Sequence, residues 1–187
     1  MTFVIWITGL PGSGKSTIAK KLLKLLKDNK ISIKYLRLDK FRKKIVPNPK
    51  YTEEERDFVY RKLGDYAIEL SKNNNVLIDA TAHKKLYRDY VRKKVNNFIE
   101  VYIKCPLDIC IKRETNRKES LVMARIYKKA LERKMHRKKF DGLGQVIGVD
   151  VPFEENKSSE IIINSNEVKP LDAAKRIFRK LNVLLSK

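Results

Sequence analysis

The chain has 187 residues, 42% of them hydrophobic and 35% charged, which suits one compact domain and leaves little room for a second. Lys and Arg number 43 against 22 Asp and Glu, so the formal net charge is +21 at pH 7. Two cysteines exclude a disulfide scaffold, and the first apolar stretch is far too short to span a bilayer. We therefore expect a cytoplasmic protein without a membrane partner, in which Cys105 and Cys110 are reduced core residues.

The excess positive charge has two interpretations. One is a lysine-rich surface combined with small anionic substrates, and the other is a nucleic-acid partner. Because the cations are spread along the whole sequence, without a basic tail or a repeated basic-aromatic pattern, the first interpretation is favoured and the nucleic acid is not.

Short β-rich runs alternate with helical patterns along the chain. In the long helix, Thr52 and Glu55 have capping-box spacing. The residues predicted to share its buried face are Val59, Leu63, Tyr66, Ala67 and Leu70. In chain order, strands are predicted at 3–8, 32–38, within 73–81 after an initial turn, 97–105 and 160–164. Helices are predicted at 15–27, 51–72, 85–95, 106–114, about 120–139 and 170–185.

This alternation predicts an α/β fold: a three-layer P-loop NTPase with a five-stranded parallel sheet and helices on both faces. We expect residues 1–187 to form a single P-loop kinase domain. The basic section between the fourth and fifth strands interrupts the alternation. It is interpreted as a lid insertion, at about 113–145, above the carboxyl ends of the strands, where such sheets bind ligands.

The stretch after the first strand, GLPGSGKST, satisfies the pattern G-x-x-x-x-G-K-[ST] of a phosphate-binding loop. Its glycines let backbone N–H groups point at a phosphate, Lys15 reaches the β- and γ-phosphates, and Ser16 supplies a hydroxyl to Mg²⁺. A strand before the motif and a helix after it make a chance glycine-rich turn a poor explanation. The predicted ATP-binding residues of this stretch are Gly9, Leu10, Pro11, Gly12, Ser13, Gly14, Lys15, Ser16 and Thr17.

Two acidic positions follow other strands. Asp39, just past the second strand, is a candidate to orient or deprotonate an acceptor hydroxyl, and Arg42 is a candidate to hold an anionic acceptor. Asp79, after the third strand, is a candidate second Mg²⁺-organising group beside Ser16. The alternatives are helix caps and a surface arginine. His83, alone among lysines, is expected to be solvated.

The basic section carries cations that phosphoryl transfer needs around the migrating group. A mobile lid would supply them and exclude water, whereas the alternative is a solvated helix face. The candidate cations are Arg113, Arg117, Arg125, Lys128 and Lys129, with Arg113 assigned to ATP.

These residues resemble the adenylylsulfate (APS) kinases, which use MgATP to phosphorylate the 3′-hydroxyl of adenosine 5′-phosphosulfate. The similarity runs in register over nearly the whole chain, through GLPGSGKSTIA, LDKFR, YTEEERDFVYRKLGDYA, FIEVYIKCPLDICIKR, IYKKA and IGVDVPFEEN. The last two segments are more specific than the phosphate loop, which many enzymes share.

The resemblance implies ATP and Mg²⁺ as cofactors, APS as the second nucleotide, PAPS and ADP as products, and a homodimer. Read together with the motifs, it assigns catalytic roles to Lys15, Asp39 and Lys128. The residues it assigns to the acceptor are Asp39, Arg42, Tyr51, Arg56, Arg61, Lys128, Ile147 and Gly148.

The sequence also departs from the family pattern. Val59 replaces an Asn of the long helix, Ala82 replaces a Ser, and Val146 replaces the second of two aromatic rings that hold the APS adenine, leaving Tyr51 as the first. Asp79 is more typical of P-loop kinases that act on polynucleotide ends or seryl-tRNA. A kinase for an RNA or tRNA end, or for another small hydroxylated metabolite, is therefore the alternative. A regulatory nucleotide-binding protein without catalysis fits the retained Asp39 and Arg42 poorly.

Overall fold

The computed structural model describes residues 2–116 and 124–185. Within these ranges the elements follow the predicted alternation, and none of the helices is long and apolar enough to cross a bilayer. In chain order they are β1 (Val4–Thr8), α1 (Lys15–Asp28), β2 (Ile33–Arg37), α2 (Leu38–Ile45), α3 (Glu53–Ser71), β3 (Asn75–Asp79), α4 (Lys85–Arg92), β4 (Phe98–Lys104), α5 (Leu107–Thr115), α6 (Ile126–His136), β5 (Ile161–Asn164) and α7 (Pro170–Leu185).

The five strands form one parallel sheet in the order β2-β3-β1-β4-β5, which confirms the predicted fold class. The register places Ile7 of β1 opposite Asp79 of β3, and Thr8 opposite Tyr102 of β4. The carboxyl ends of the central strands therefore meet at one edge of the sheet, where the phosphate-binding loop also begins.

Both faces of the sheet are covered, because alternate side chains of each strand point to opposite sides. Ile5 and Ile7 of β1 pack with α1 and α7, whereas Val4 and Trp6 pack with α3 and α4. A third cluster, around Tyr127, joins α5, α6 and the segment that follows α6. This arrangement explains why the strands are apolar on both sides.

The helix α2 was not predicted. The second strand ends at Arg37, and Asp39 lies in the first turn of α2 rather than in a loop. The helix is only eight residues long, and its apolar side consists of Leu38, Phe41 and Ile45, which is too short a pattern to recognise beside the preceding strand.

The buried face of α3 also differs from the prediction at one position. Tyr66 is 47% exposed and stacks on Phe41, with ring centroids 5.8 Å apart. The buried side is rotated toward Tyr60 and Gly64, because α4 packs there: a side chain at Gly64 would meet the Tyr90 ring at 3.1 Å. The predicted cap is confirmed, since the Glu55 N–H donates to Thr52 Oγ1 at 3.3 Å.

A buried polar network, which the sequence analysis did not single out, fastens α4 to β4. Glu100 is fully buried and accepts hydrogen bonds from Asn156 Nδ2 at 2.9 Å and Ser159 Oγ at 3.1 Å. The Arg88 Nε lies 3.1 Å from Glu100 Oε1, and its Nη2 donates to the Glu154 carbonyl at 2.7 Å. Arg92, which is partly exposed, forms a second ion pair with Glu100, with Nη2 3.2 Å from Oε2.

Both cysteines are buried free thiols, as expected for core residues. Burial, with the neighbouring Cys105, raises the pKa of Cys110 to about 12, so the thiol stays protonated and unreactive at neutral pH.

Candidate active site

The phosphate-binding loop lies close against the backbone of neighbouring elements. A Cβ on Gly12, whose φ is +80°, would lie 2.3 Å from the Cys110 carbonyl oxygen, so this turn excludes any larger residue. The Lys15 ammonium is nearly buried and donates to the carbonyls of Gly9 at 2.9 Å and Leu10 at 2.8 Å. The loop thus combines backbone amides with one ammonium, the groups that a phosphate chain requires.

An open cleft extends from this loop toward α2 and α3. The structure brings most of the predicted site residues together around it. Those that line the cleft are Pro11, Gly12, Gly14, Lys15, Ser16, Asp39, Arg42, Tyr51, Arg56, Asp79 and Ile147.

Two buried arginines form the cationic side of the cleft. Arg42 pairs with Glu55 at 2.7 Å and lies over the Tyr51 ring, 4.9 Å from its centroid. Arg56 Nη2 donates to the Gln145 carbonyl, while its buried Nη1 has no hydrogen-bond partner among the described residues. Burial lowers the pKa of Arg56, which means that the charged form is costly there without a ligand. The arrangement can accept an anion.

Two carboxylates, Asp39 and Asp79, also line the cleft. Burial and the nearby Asp79 raise the pKa of Asp39, whereas Lys15 acts in the other direction. Asp79 is itself nearly buried and accepts a hydrogen bond from the Tyr35 hydroxyl at 2.8 Å, with Arg37 Nε 3.9 Å away. Asp39 is therefore a carboxylate held at the cleft beside the loop lysine, where it could receive a proton.

Residues 142–147, here called the covering segment, contribute to the lining of the cleft. A Cβ on Gly144, at φ +56°, would lie 2.4 Å from Tyr51 Cβ. The covering segment therefore packs directly against Tyr51. The Val146 N–H donates to Asp150 Oδ2 at 2.6 Å, and Arg133 of α6 binds the same oxygen at 2.7 Å. The covering segment is thus tied to α6.

Helix α6 is in turn attached to the phosphate-binding loop. The fully buried Tyr127 donates its hydroxyl to the Pro11 carbonyl at 3.0 Å. The buried Glu114 of α5 accepts the N–H groups of Ile126 and Tyr127, at 3.1 and 3.4 Å, and so satisfies the first donors of α6.

The structure does not bring every predicted residue to the cleft. Arg61 lies on the exposed side of α3, with its guanidinium 4.2 Å above the Tyr90 ring; five residues along a helix place it about 140° from Arg56. The structure therefore does not bring Arg61 to the cleft, and its assignment to the acceptor site finds no support in this arrangement. Lys128 is 57% exposed and pairs with Glu132 at 3.9 Å, outside the cleft.

Two further assigned residues, Gly148 and Arg113, are not among those that line the cleft. Gly148 forms a turn below the cleft, where its N–H donates to the Val151 carbonyl at 2.7 Å. Arg113 lines a second groove beside Gly14 and Thr17, and donates to the Ser165 carbonyl at 2.8 Å. Arg117 lies outside the described residues.

Tyr60 lines the cleft but was missed in the sequence. Its ring stacks on Tyr87, with centroids 4.3 Å apart, and its hydroxyl oxygen accepts the Ala82 N–H at 2.7 Å. Among the described residues the hydroxyl proton has no acceptor, and burial raises the pKa of Tyr60, which keeps that proton in place. The available signal was its spacing, four residues after Arg56 and hence one helical turn along the same side.

His83 was expected to be solvated, and this is wrong. It is 4% exposed, and its ring lies beside the stacked pair, with centroids 6.5 Å from Tyr60 and 5.6 Å from Tyr87. Its Nδ1 has no hydrogen-bond partner among the described residues. Burial first, and then Arg56 and Lys84, lower its pKa to about 4. The neighbouring lysines suggested an exposed segment, whereas the His83 side chain of the β3–α4 connection points into the protein.

This pKa predicts an acid-dependent loss of stability. The folded pKa of about 4 is below the unfolded value of about 6.5, so the unfolded chain alone gains a proton as the pH falls through this window. Relative to His83→Phe, the wild type should lose up to about 3 kcal/mol of unfolding free energy between pH 7 and pH 4, measured by urea denaturation. His136→Phe, at an exposed position of α6, is the control; an equal effect of both substitutions would contradict the interpretation.

The parallel sheet, the loop with its G-x-x-x-x-G-K-[ST] spacing, and a cleft lined by carboxylates and arginines define a P-loop kinase. Comparison with known proteins narrows the class. The model of the adenylylsulphate kinase family matches residues 1–164, so the chain belongs to this family, and the resemblance found in the sequence is confirmed. Membership makes it an ATP-dependent phosphotransferase that acts on a hydroxyl group.

Individual relatives support the same family assignment. The chain is 33% identical over 168 residues to the probable adenylyl-sulfate kinase of Archaeoglobus fulgidus, covering 89% of this chain and 98% of the relative. It is also 33% identical to the adenylyl-sulfate kinase of Thermodesulfovibrio yellowstonii, over 95% of this chain and 82% of the relative. The fold superimposes on the Mycobacterium tuberculosis APS kinase bound to AMPPNP and APS with a TM-score of 0.78, at 22% identity, covering 97% and 98% of the two chains.

Proposed function

We propose that this chain transfers the γ-phosphate of ATP to the 3′-hydroxyl of APS. The observation that carries the proposal is the pair Arg42 and Arg56 in the cleft beside the phosphate-binding loop, with Arg56 Nη1 lacking a partner among the described residues. An acceptor with a strong anionic group supplies that partner, and charge-assisted hydrogen bonds from arginine are among the strongest in proteins.

ATP is proposed to lie with its phosphates on residues 9–17 and its nucleoside in the groove beside Arg113. Ser16 and Asp79 line the same cleft and fit Mg²⁺, which prefers hydroxyl and carboxylate oxygens. Within the described ranges no three His, Cys, Asp or Glu side chains form a metal cluster, so the phosphate oxygens would complete the coordination. When bound, the ion would neutralise charge on the phosphates.

The chain's own residues would then act on the acceptor. Asp39, at the start of α2, would orient the 3′-hydroxyl and receive its proton, because its raised pKa brings it closer to that of a useful base. Lys15 would neutralise charge on the transferred phosphoryl group, since its ammonium lies at the loop, where it donates to the carbonyls of Gly9 and Leu10.

We further propose a single domain over residues 1–187, with residues 113–145 acting as a lid. The contacts of Tyr127 with Pro11 and of Gly144 with Tyr51 would position it over both nucleotides. Lys128 is now exposed and pairs with Glu132, so it would reach the transferred phosphoryl only after its side chain leaves this position. The homodimer is proposed from the family alone.

The departures from the family pattern are compatible with this acceptor. Val59 and Ala82 are fully buried packing residues. The Asn and Ser side chains that the family has at these two positions are therefore not replaced by polar groups there. Tyr60 offers a free hydroxyl proton one residue beyond Val59. On the adenine side, Tyr51 supplies one ring, and Leu143, Val146 and Ile147 supply an apolar wall.

The test is ADP release with MgATP and APS, compared with buffer, tRNA and nucleosides. APS should stimulate ADP release and yield PAPS. Stimulation by tRNA or a nucleoside instead would favour the alternative acceptor class that Asp79 suggests. ADP release at the buffer rate under every condition would overturn the assignment.

A substitution at Arg56 of α3 tests the acceptor site more directly, because the same helix also supplies a control residue. Arg56→Met should lower kcat/KM for APS by about 10²-fold, because up to two charge-assisted hydrogen bonds are lost, with little change in the KM for ATP. Arg61→Met, five residues along α3 and exposed, is the matched control and should retain wild-type kinetics. Similar losses in both variants would show that the cleft is not where the acceptor binds.

Tyr60→Phe should raise the KM for APS about fivefold, the effect of losing one hydrogen bond of roughly 1 kcal/mol, and leave the KM for ATP unchanged. The ring and its stacking on Tyr87 remain. Tyr90→Phe, whose hydroxyl bonds Asp65 on the outer surface, is the control. An unchanged KM for APS in Tyr60→Phe would remove this residue from the acceptor site.

A further inference from the structure

The helices α1 and α7 lie side by side on the same face of the sheet and share one hydrophobic cluster. Their outer sides carry eight exposed cations and only two exposed acidic residues, Asp28 and Asp172. The cations, here called the basic face, are Lys20, Lys21, Lys24, Lys27, Lys175, Arg176, Arg179 and Lys180. The fold therefore concentrates a charge that looked evenly spread along the sequence.

These cations are not part of an ion-pair network. Within the described ranges, none of the eight has a carboxylate within 4.0 Å, whereas cations elsewhere do, such as Lys84 with Glu53 and Asp57. Like charges three and four residues apart on a helix, as at Lys20, Lys24 and Lys27, repel and destabilise the helix slightly. A stabilising surface network does not account for the basic face, but an anionic partner would.

The geometry indicates which anion fits. Lys20, Lys24 and Lys27 follow one side of α1 at spacings of about 6 and 4.5 Å, and α7 adds a second row beside it. Such rows match a polymer with closely spaced phosphates better than a single small anion.

A single-stranded nucleic acid and a lipid surface fit the basic face less well. Over the fully described lengths of α1 and α7 there is no exposed aromatic ring, since Phe178 is half-buried in the core, so a platform for stacking the bases of a single strand is missing. The exposed large apolar residues of α7 are only Leu171 and Val183, near its two ends, which is too little for insertion into a lipid surface.

We propose that the basic face binds the phosphodiester backbone of a nucleic-acid double helix without reading its sequence. The cleft at the carboxyl edge of the sheet stays accessible, because α1 and α7 present their outer sides rather than that edge. The proposal is independent of the acceptor that the cleft takes.

The experiment measures fluorescence anisotropy of a labelled DNA duplex of about 20 base pairs with the full chain across a series of salt concentrations. Changing Lys20, Lys24 and Lys27 together to Glu should weaken binding at least tenfold and reduce the slope of log K against log salt by about 3. The matched control changes Lys85, Lys93 and Lys94, exposed on or next to α4, to Glu; the net charge falls equally, and binding should change by less than threefold.

Several outcomes would overturn the proposal. Equal losses in the two triple variants would mean that net charge alone attracts the duplex. Displacement of the duplex by saturating MgATP would place it in the cleft. Tighter binding of a single strand, preferential binding to anionic lipid vesicles, or no duplex binding at moderate salt would exclude the double helix as the partner. Because none of these readouts uses turnover, failure of the APS assignment leaves the test intact.

Discussion

Lys15→Ala is expected to lower turnover by at least about 10³-fold while the protein still folds. Lys15 is the one ammonium within the phosphate-binding loop, and removing a group that stabilises developing charge in a water-poor site has effects of this order. In the structure its nitrogen bonds the carbonyls of Gly9 and Leu10, so the loop loses an internal support as well. Coupled ADP release gives the rate, and circular dichroism checks the fold.

The control for this prediction lies on the same helix. Lys20→Ala removes an exposed lysine of α1 and should keep turnover within about twofold of the wild type. If Lys15→Ala remained active at the wild-type rate, the loop would not be the site of the transferred phosphate, and the kinase mechanism would have to be abandoned.

The second large effect concerns stability. Glu100→Leu should reduce the free energy of unfolding by about 3–5 kcal/mol, because it leaves the fully buried Arg88 with a charge and no carboxylate. The carbonyls of Ala82 and Glu154 would be its remaining partners. Denaturation by guanidinium chloride measures the difference, with the unfolding slope compared between variant and wild type.

An exposed ion pair supplies the comparison. Glu69 and Lys72 lie 2.6 Å apart with both side chains more than 60% exposed, so Glu69→Ala should cost less than about 1 kcal/mol. Equal costs for the two substitutions would show that burial does not strengthen the Glu100 network.

The parts of the site that are contiguous in sequence were predictable. The phosphate-binding loop needs its glycines, lysine and serine at fixed spacing, because one short backbone turn makes all the contacts. Asp39, Arg42, Tyr51 and Arg56 were also found, since family similarity preserves their order along the chain, and the structure places them around one cleft.

The parts that depend on side-chain direction or on distant contacts were not predictable. Arg61 shares a helix and a charge with Arg56, yet helix rotation points it at Tyr90. His83 sits among lysines in sequence but is buried by two tyrosines from different helices. In the sequence, Glu100 is a single charged residue in a strand. It is buried and paired only because α4, with Arg88, and the segment near Asn156 pack against it.

The covering segment has a consequence for how the two halves of the cleft communicate. It rests on Tyr51 and accepts a hydrogen bond from Arg56 at one end, and through Asp150, Arg133 and Tyr127 it is coupled to the Pro11 carbonyl at the other. A nucleotide that displaced Pro11 would therefore be expected to change the cleft around Tyr51, and a nucleotide at Tyr51 would be expected to change the loop. Thermodynamic reciprocity then requires that each ligand change the other's affinity by the same factor, so that the empty protein, the two binary complexes and the ternary complex form one linked cycle.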